Sequence, residues 1–171
     1  MLDQALWPAR LLYLAPSLCT FAANHATMSP AVRNILAIIA GIVLGIIVNM
    51  GISNVAFMMV EFPENINRED PEAILAFVEG LPASSPLWLL SMLAHVAGTA
   101  IGGLVTSRIA VTGHVRLAIG VGIFFLIGGI LNKLQITHPI AIAIADVVLY
   151  IPAAWFGWKL AGSPADTAAP E

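Results

Sequence analysis

Two ionisable residues, Asp146 and His95, lie inside long apolar stretches of the sequence, where ionisable side chains are rare. An unpaired carboxylate in hydrocarbon is costly, about 2.5–3.5 kcal/mol for a central Asp on the insertion scale. Asp146 must therefore be protonated, hydrated or paired, and His95 is the best partner that the chain offers. Such a pair can relay a proton or bind a substrate, or it can clamp two helices together without any turnover. The sequence leaves these alternatives open.

Further polar side chains fall at a similar level of the apolar stretches. At 1.5 Å per helical residue, His95 lies about 12 Å, Asp146 about 15 Å and Asn49 about 16 Å from one common side. Tyr150 follows Asp146 by one helical turn. We therefore predict an intramembrane polar cluster formed by Asp146, His95, Asn49 and Tyr150, with Asn54 and Asn132 as further hydrogen-bond donors.

The composition identifies the class of protein that must hold this cluster. Of the 171 residues, 59% are hydrophobic and 10% are charged, and the mean hydropathy is +0.91. Soluble domains carry roughly 45–50% apolar and about 25% charged residues, so a soluble enzyme, a disordered chain and a coiled coil are excluded. The net charge of −3 and the absence of a basic stripe give no support to nucleic-acid binding.

Four apolar stretches are long enough, or nearly so, to cross a bilayer as helices, which takes about 20 residues. Within lipid the backbone polar groups must bond internally, and these stretches lack the alternation of a barrel strand. We predict an all-α fold, a four-helix transmembrane domain over residues 31–160 with helices at about 35–60, 87–111, 115–131 and 136–160.

The two ends of the chain differ from this domain. Residues 1–30 have an apolar centre interrupted by Pro8 and Pro16, so we expect an N-terminal extension outside the bundle, with Met28 as an alternative start. Residues 161–171 are rich in Ala and Pro and are expected to form a disordered tail.

The charges flanking the apolar stretches predict the orientation. Basic residues are retained in the cytoplasm, and four of them, Arg33, Arg108, Arg116 and Lys159, fall on one side, against Arg68 and Lys133 on the other. We therefore expect cytoplasmic termini and an external loop over 61–86. That loop carries six acidic residues, and Asp70, Pro71 and Gly80 delimit a short amphipathic helix within it.

Small residues recur at four-residue steps on two of the predicted helices. Gly41 and Gly45 form one such stripe, and Gly98 and Gly102 form the other. Small residues allow helix backbones to approach closely within lipid, so these four glycines are predicted packing positions. The pattern does not say whether the packing partner is the same chain or another copy.

Motifs for catalysis and cofactor binding are missing from the sequence. It contains no nucleophile elbow, phosphate-binding loop, dinucleotide fingerprint or HExxH pattern. His114 and His138 fall at opposite interfaces, which argues against a three-histidine metal site. We therefore expect no enzymatic activity, no catalytic residue, no metal and no cofactor.

Several local segments together resemble a known group of sequences. An NxxDPEA-like segment at 67–73 precedes AHVAGTAIGGLV at 94–105, a His-Pro pair at 138–139 and an Asp…YIPAAW ending at 146–155. This combination resembles a group of uncharacterised, short, four-helix bacterial membrane proteins over about residues 30–160. The resemblance implies a location in the bacterial inner membrane and adds no activity.

Two hypotheses of function follow from these features. The first is a small multi-pass membrane protein of transport-related or accessory function, with a polar core at Asp146 and His95. The alternative is a structural subunit that stabilises a larger membrane complex through its glycine stripes. Apart from the lipid bilayer, the expected partner is a second copy of the chain or another subunit of a membrane complex.

Overall fold

The structure is a computed structural model that describes residues 28–162. The predicted N-terminal extension and the predicted tail lie almost entirely outside these residues. The described part is helical and contains no strand. Its five helices are α1 (Pro30–Met58), α2 (Pro71–Glu79), α3 (Pro86–Ile109), α4 (His114–Gln135) and α5 (Ile140–Ala161).

Four of these helices, α1, α3, α4 and α5, are long and apolar enough to cross a membrane. This confirms the predicted all-α class and the number of long helices. Helix α4 continues to Gln135, beyond the predicted end at residue 131, and α5 starts later than predicted, at Ile140. The α4 helix thus includes Lys133, a residue type that propagates helices well, so a charged residue ends the apolar stretch without ending the helix.

Local signals in the sequence explain where the helices begin and end. The side chain of Asp70 caps α2 by accepting a hydrogen bond from the Glu72 N–H at 3.0 Å. Gly113 precedes α4 with a φ of 66°, a left-handed conformation that favours glycine. Proline suits the first position of a helix because its missing N–H would be unpaired there in any case, and it opens α1, α2 and α3 at Pro30, Pro71 and Pro86.

Helix α3 is the centre of the bundle and packs against α1, α4 and α5. Its contact with α1 is close because glycines face each other there. A Cβ atom added to Gly45 would lie 2.6 Å from the carbonyl oxygen of Gly98, and one added to Gly98 would lie 2.6 Å from the carbonyl oxygen of Gly45. Gly41 and Gly102 meet on the same interface. All four predicted packing glycines therefore join two helices of one chain.

The bundle has two distinct ends. At one end, which we call the turn end, residues 110–113 connect α3 to α4, and Arg33 Nε donates to the Ile109 carbonyl oxygen at 3.2 Å. At the other end, which we call the α2 end, helix α2 and the 136–139 connection lie together. The polar residues of the predicted cluster lie in the half of the bundle nearer the α2 end. Asn49 is nine residues before the end of α1, His95 is nine residues after the start of α3, and Asp146 is six residues after the start of α5.

Candidate functional site

The centre of the site is a contact between α3 and α5. Nδ1 of His95 lies 2.9 Å from Oδ2 and 3.0 Å from Oδ1 of Asp146. The Asp146 side chain is only 2% exposed and that of His95 is 16% exposed. Two residues that lie 51 positions apart in the chain are thus in direct hydrogen-bond contact, so the buried carboxylate has a partner on a neighbouring helix.

A second partner of Asp146 comes from α4. The Lys133 ammonium donates to Oδ2 of Asp146, and its side chain is 12% exposed. From its position in the sequence Lys133 is expected only as a flanking positive charge, so this contact is not predicted. The signal that was available is the position of Lys133 near the end of an apolar helix, because a long methylene stem carries the charged head away from its backbone. Three helices therefore converge on one carboxylate.

Tyr150 closes the deep side of this cluster. Its hydroxyl donates to Oδ2 of Asp146 at 3.4 Å, and its ring stacks against the ring of His95 with the centroids 5.8 Å apart. The ring fits because Gly129 stands opposite on α4, where an added Cβ would lie 2.7 Å from Cε2 of Tyr150. Tyr150 therefore orients the two groups that could exchange a proton.

Asn49 lies beside the cluster and does not contact Asp146. Its Oδ1 accepts a hydrogen bond from the Ser53 hydroxyl at 3.5 Å on the same helix. Asn54, another predicted donor, instead bonds to the carbonyl oxygen of Met50 at 2.7 Å. The structure thus brings together Asp146, His95 and Tyr150 of the predicted cluster, adds Lys133, and places Asn49 in the wall of the adjoining cavities.

The larger of these cavities, about 510 Å³, lies between α2 and the long helices. Its wall is mainly apolar, and at its inner end stand the polar side chains of Asn49, His95 and Asn132. Within residues 28–162 neither Nε2 of His95 nor the side-chain amide of Asn132 has a hydrogen-bond partner. A cavity of this size with a few polar groups is typical of small-molecule sites.

A smaller cavity of about 240 Å³ lies between α1 and α4. It is lined by the same three polar residues, Asn49, His95 and Asn132, and also by Tyr150. The two cavities therefore share one polar wall, and His95 connects that wall to the buried Asp146. An imidazole whose ring lines a cavity, and one of whose nitrogens is hydrogen-bonded to a carboxylate, can take up and release a proton.

Charged and aromatic groups close the α2 end over the larger cavity. The Thr137 N–H donates to Oε1 of Glu79 at 2.7 Å, which joins the end of α2 to the α4–α5 connection. This hydrogen bond holds the pKa of the Glu79 carboxyl below its usual value. The His138 ring packs against the buried Trp88 with the centroids 5.0 Å apart, and burial lowers the pKa of His138.

No match to this chain is found among known protein families, curated proteins or solved structures. The function is therefore inferred from the chemistry of the site.

Proposed function

We propose that the chain is a small multi-pass membrane protein of transport-related function, in which the Asp146–His95 pair exchanges a proton with the cavities. The observation that carries this proposal is the position of His95. Its Nδ1 is in contact with the buried carboxylate of Asp146, while its ring lines both cavities. Ionisable residues at membrane depth that face a cavity mark proton relays and substrate pathways in membrane proteins.

The charges of the cluster support exchange of a single proton. Lys133 and Asp146 form an ion pair whose formal charges cancel, so the cluster is neutral when the His95 ring is neutral. Addition of one proton to His95 gives a net charge of +1 without breaking either contact to Asp146. Because charge is costly in low dielectric, a change of one unit would alter which solute the cavities hold.

The location belongs to the same proposal. The four apolar helices would lie in the bacterial inner membrane with both termini cytoplasmic, as the basic flanks at Arg33 and Arg108 favour. The larger cavity would then open near the external face, beneath the acidic loop and its short helix α2. A solute would enter from that face and meet the polar wall at depths of about 5–14 Å below the helix ends, from Asn132 to His95.

The alternative function, a structural subunit of a larger membrane complex, would have to use other surfaces than the predicted glycine stripes. Gly41, Gly45, Gly98 and Gly102 are covered by helices of the same chain. Outward glycines do exist, since Gly51 and Gly120 have no atom within 4 Å of an added Cβ. Purification in mild detergent separates the alternatives, because a stoichiometric foreign subunit would favour the structural function.

The proposal is tested by proton flux into liposomes that contain the purified protein, a trapped pH dye and an imposed potassium diffusion potential. Wild-type protein should pass protons faster than protein-free liposomes, and Asp146→Asn should reduce the flux to the protein-free rate. Glu72→Gln is the matched control, because it makes the same chemical change on the exposed face of α2, away from both cavities. A flux in Asp146→Asn equal to that of the wild type would overturn the proposal.

A further inference from the structure

We infer that the two cavities together bind one amphiphile, with a neutral hydrogen-bonding head in the larger cavity and a hydrocarbon chain in the smaller one. The inference rests on the proposed function, because it names the class of solute that the polar core would handle. Its support comes from the exposure of the smaller cavity, its depth, and the balance of charges around the larger one.

The smaller cavity opens on the outer, apolar surface of the bundle. Three of its lining residues, Ile46, Phe124 and Gly128, are exposed on the outward faces of α1 and α4. These two helices make the weakest contact of any pair of long helices that touch. In a bilayer this surface meets acyl chains, so the cavity is a lateral opening from the hydrocarbon towards His95.

The level of the opening matches the position of a lipid in one leaflet. At 1.5 Å per residue, Asn132 lies about 5 Å, Gly128 about 10 Å and Phe124 about 16 Å from the end of α4 at Gln135. Asn49 and His95 lie deeper than Asn132, each nine residues from the end of its helix on the α2 side, so the polar wall extends from near the interface to about the level of Phe124. The larger cavity lies on the α2 side of this wall, and the apolar lining of the smaller cavity reaches the same depth. A molecule bound in both cavities therefore has its polar part towards the α2 end and its chain against the apolar lining.

Polar side chains without a hydrogen-bond partner lie where the two cavities meet, and a bound molecule could supply that partner. Two side-chain groups make no hydrogen bond within the described part of the chain, the amide of Asn132 and Nδ2 of Asn49. Both residues line the smaller cavity, which is open to hydrocarbon. Polar groups that face acyl chains without a partner are unfavourable. A hydroxyl- or amide-bearing head at this level satisfies them, and its attached chain fills the apolar part.

The charges around the larger cavity favour a head without net charge. Lys133 is already paired with Asp146. Arg68 and Glu69, which both line the cavity, carry opposite charges, and the Arg68 guanidinium lies over the ring of Phe62 at 5.1 Å. While the His95 ring is neutral, the groups left to bind the head are neutral donors and acceptors, which select hydroxyls and amides over a carboxylate or a phosphate.

The test uses a monoacylglycerol with a diazirine in its acyl chain, photolysed with the purified full-length protein in lipid nanodiscs. We expect saturable labelling of peptides that contain Ile46 and Phe124. Excess unlabelled monoacylglycerol should compete, and a fatty acid of the same chain length should not. Labelling spread evenly over outward residues of α5, such as Ile144 and Val148, would show ordinary lipid contact and would overturn the inference. Equal competition by the fatty acid would overturn the neutral head.

A matched pair of glycine variants tests whether the labelling comes from the smaller cavity. Gly128 and Gly120 both lie on α4 with no atom within 4 Å of an added Cβ, but only Gly128 lines the smaller cavity. Gly128→Leu should therefore fold and reduce the labelling by about tenfold or more, because the leucine occupies space that the chain needs. Gly120→Leu should leave the labelling unchanged. Equal labelling in the two variants would overturn the inference.

The outcome is separable from that of the proposed function. If the labelling is saturable and depends on Gly128 but no proton flux depends on Asp146, the amphiphile site is supported and the transport proposal is overturned. If proton flux depends on Asp146 but the labelling is not saturable, the transport proposal is supported and the inference of a bound amphiphile is overturned.

Discussion

His95 and Asp146 meet across the interface of α3 and α5, with Nδ1 of the imidazole 2.9 Å from Oδ2 of the carboxylate. The carboxylate is also the acceptor for Lys133 from α4. One buried oxygen atom thus joins three of the four long helices, and the arrangement of the bundle depends on groups that can change their charge. The proposed proton exchange would therefore take place at an atom on which the packing of three helices depends.

The first prediction concerns the stability of this cluster. Asp146→Leu removes the acceptor of three donors, His95, Lys133 and Tyr150. It should therefore destabilise the bundle more than His95→Leu, which removes one contact of about 1–3 kcal/mol. Adding Lys133→Met to Asp146→Leu should recover part of the loss, because no stranded ammonium remains. The free energy of unfolding in mixed micelles measures each variant. A double variant less stable than Asp146→Leu alone would argue against the ion pair.

The second prediction concerns the glycine contact between α1 and α3. A Cβ at residue 45 would meet the carbonyl oxygen of Gly98 and the ring of Phe125, each at 2.6 Å, so Gly45→Ala should cost about 1–3 kcal/mol. Gly51→Ala, on the same helix but in open space, should be neutral or stabilising by up to about 1 kcal/mol. Thermal unfolding in detergent compares the two. Equal midpoints would contradict the close approach of these helices.

The third prediction concerns pH and the contact between Glu79 and Thr137. The hydrogen bond lowers the pKa of the Glu79 carboxyl in the folded protein, so its stabilising effect is complete above the unfolded pKa and is lost as the pH falls through the lowered value. The protection of the Thr137 amide against hydrogen exchange should therefore fall on acidification. Glu79→Ala should remove this protection at neutral pH, whereas a protection factor unchanged in that variant would rule out the contact.

The fourth prediction concerns the orientation. In a background with Cys19→Ser, single cysteines in the 64–80 region should react with an impermeant thiol reagent added outside intact cells. Cysteines in the turn end at 110–113 should react only after permeabilisation. The opposite pattern would place the larger cavity on the cytoplasmic side and would reverse the proposed route of the solute.

Much of the fold follows from the sequence, because long apolar stretches and small-residue stripes are strong local signals. The number of long helices is predicted correctly, and the four stripe glycines lie at a helix interface, as the spacing indicates. The contact between His95 and Asp146 follows from a physical requirement, since a buried carboxylate needs a partner and the chain offers few.

The parts that the sequence does not predict depend on side-chain reach and on the spaces between helices. Lys133 looks like a flanking charge because its backbone lies near the end of α4, but its long stem directs the ammonium to Asp146. Asn49 lies at the expected level but on the cavity side, since the rotation of α1 about its axis is set by its packing on α3. Neither cavity has a sequence signature, because each is lined by residues from several helices that lie far apart in the chain.

The most direct test of proton exchange at this site compares two histidines that both line the larger cavity. His95 contacts Asp146, whereas His138 packs against Trp88 and bonds to the Ile136 carbonyl oxygen. Proton flux should therefore fall to the protein-free rate in liposomes that contain His95→Gln, whose amide can still bond to the carboxylate but cannot carry a proton. Flux should persist in His138→Gln. Wild-type flux in His95→Gln, or loss of flux in His138→Gln alone, would contradict proton exchange through the Asp146–His95 pair.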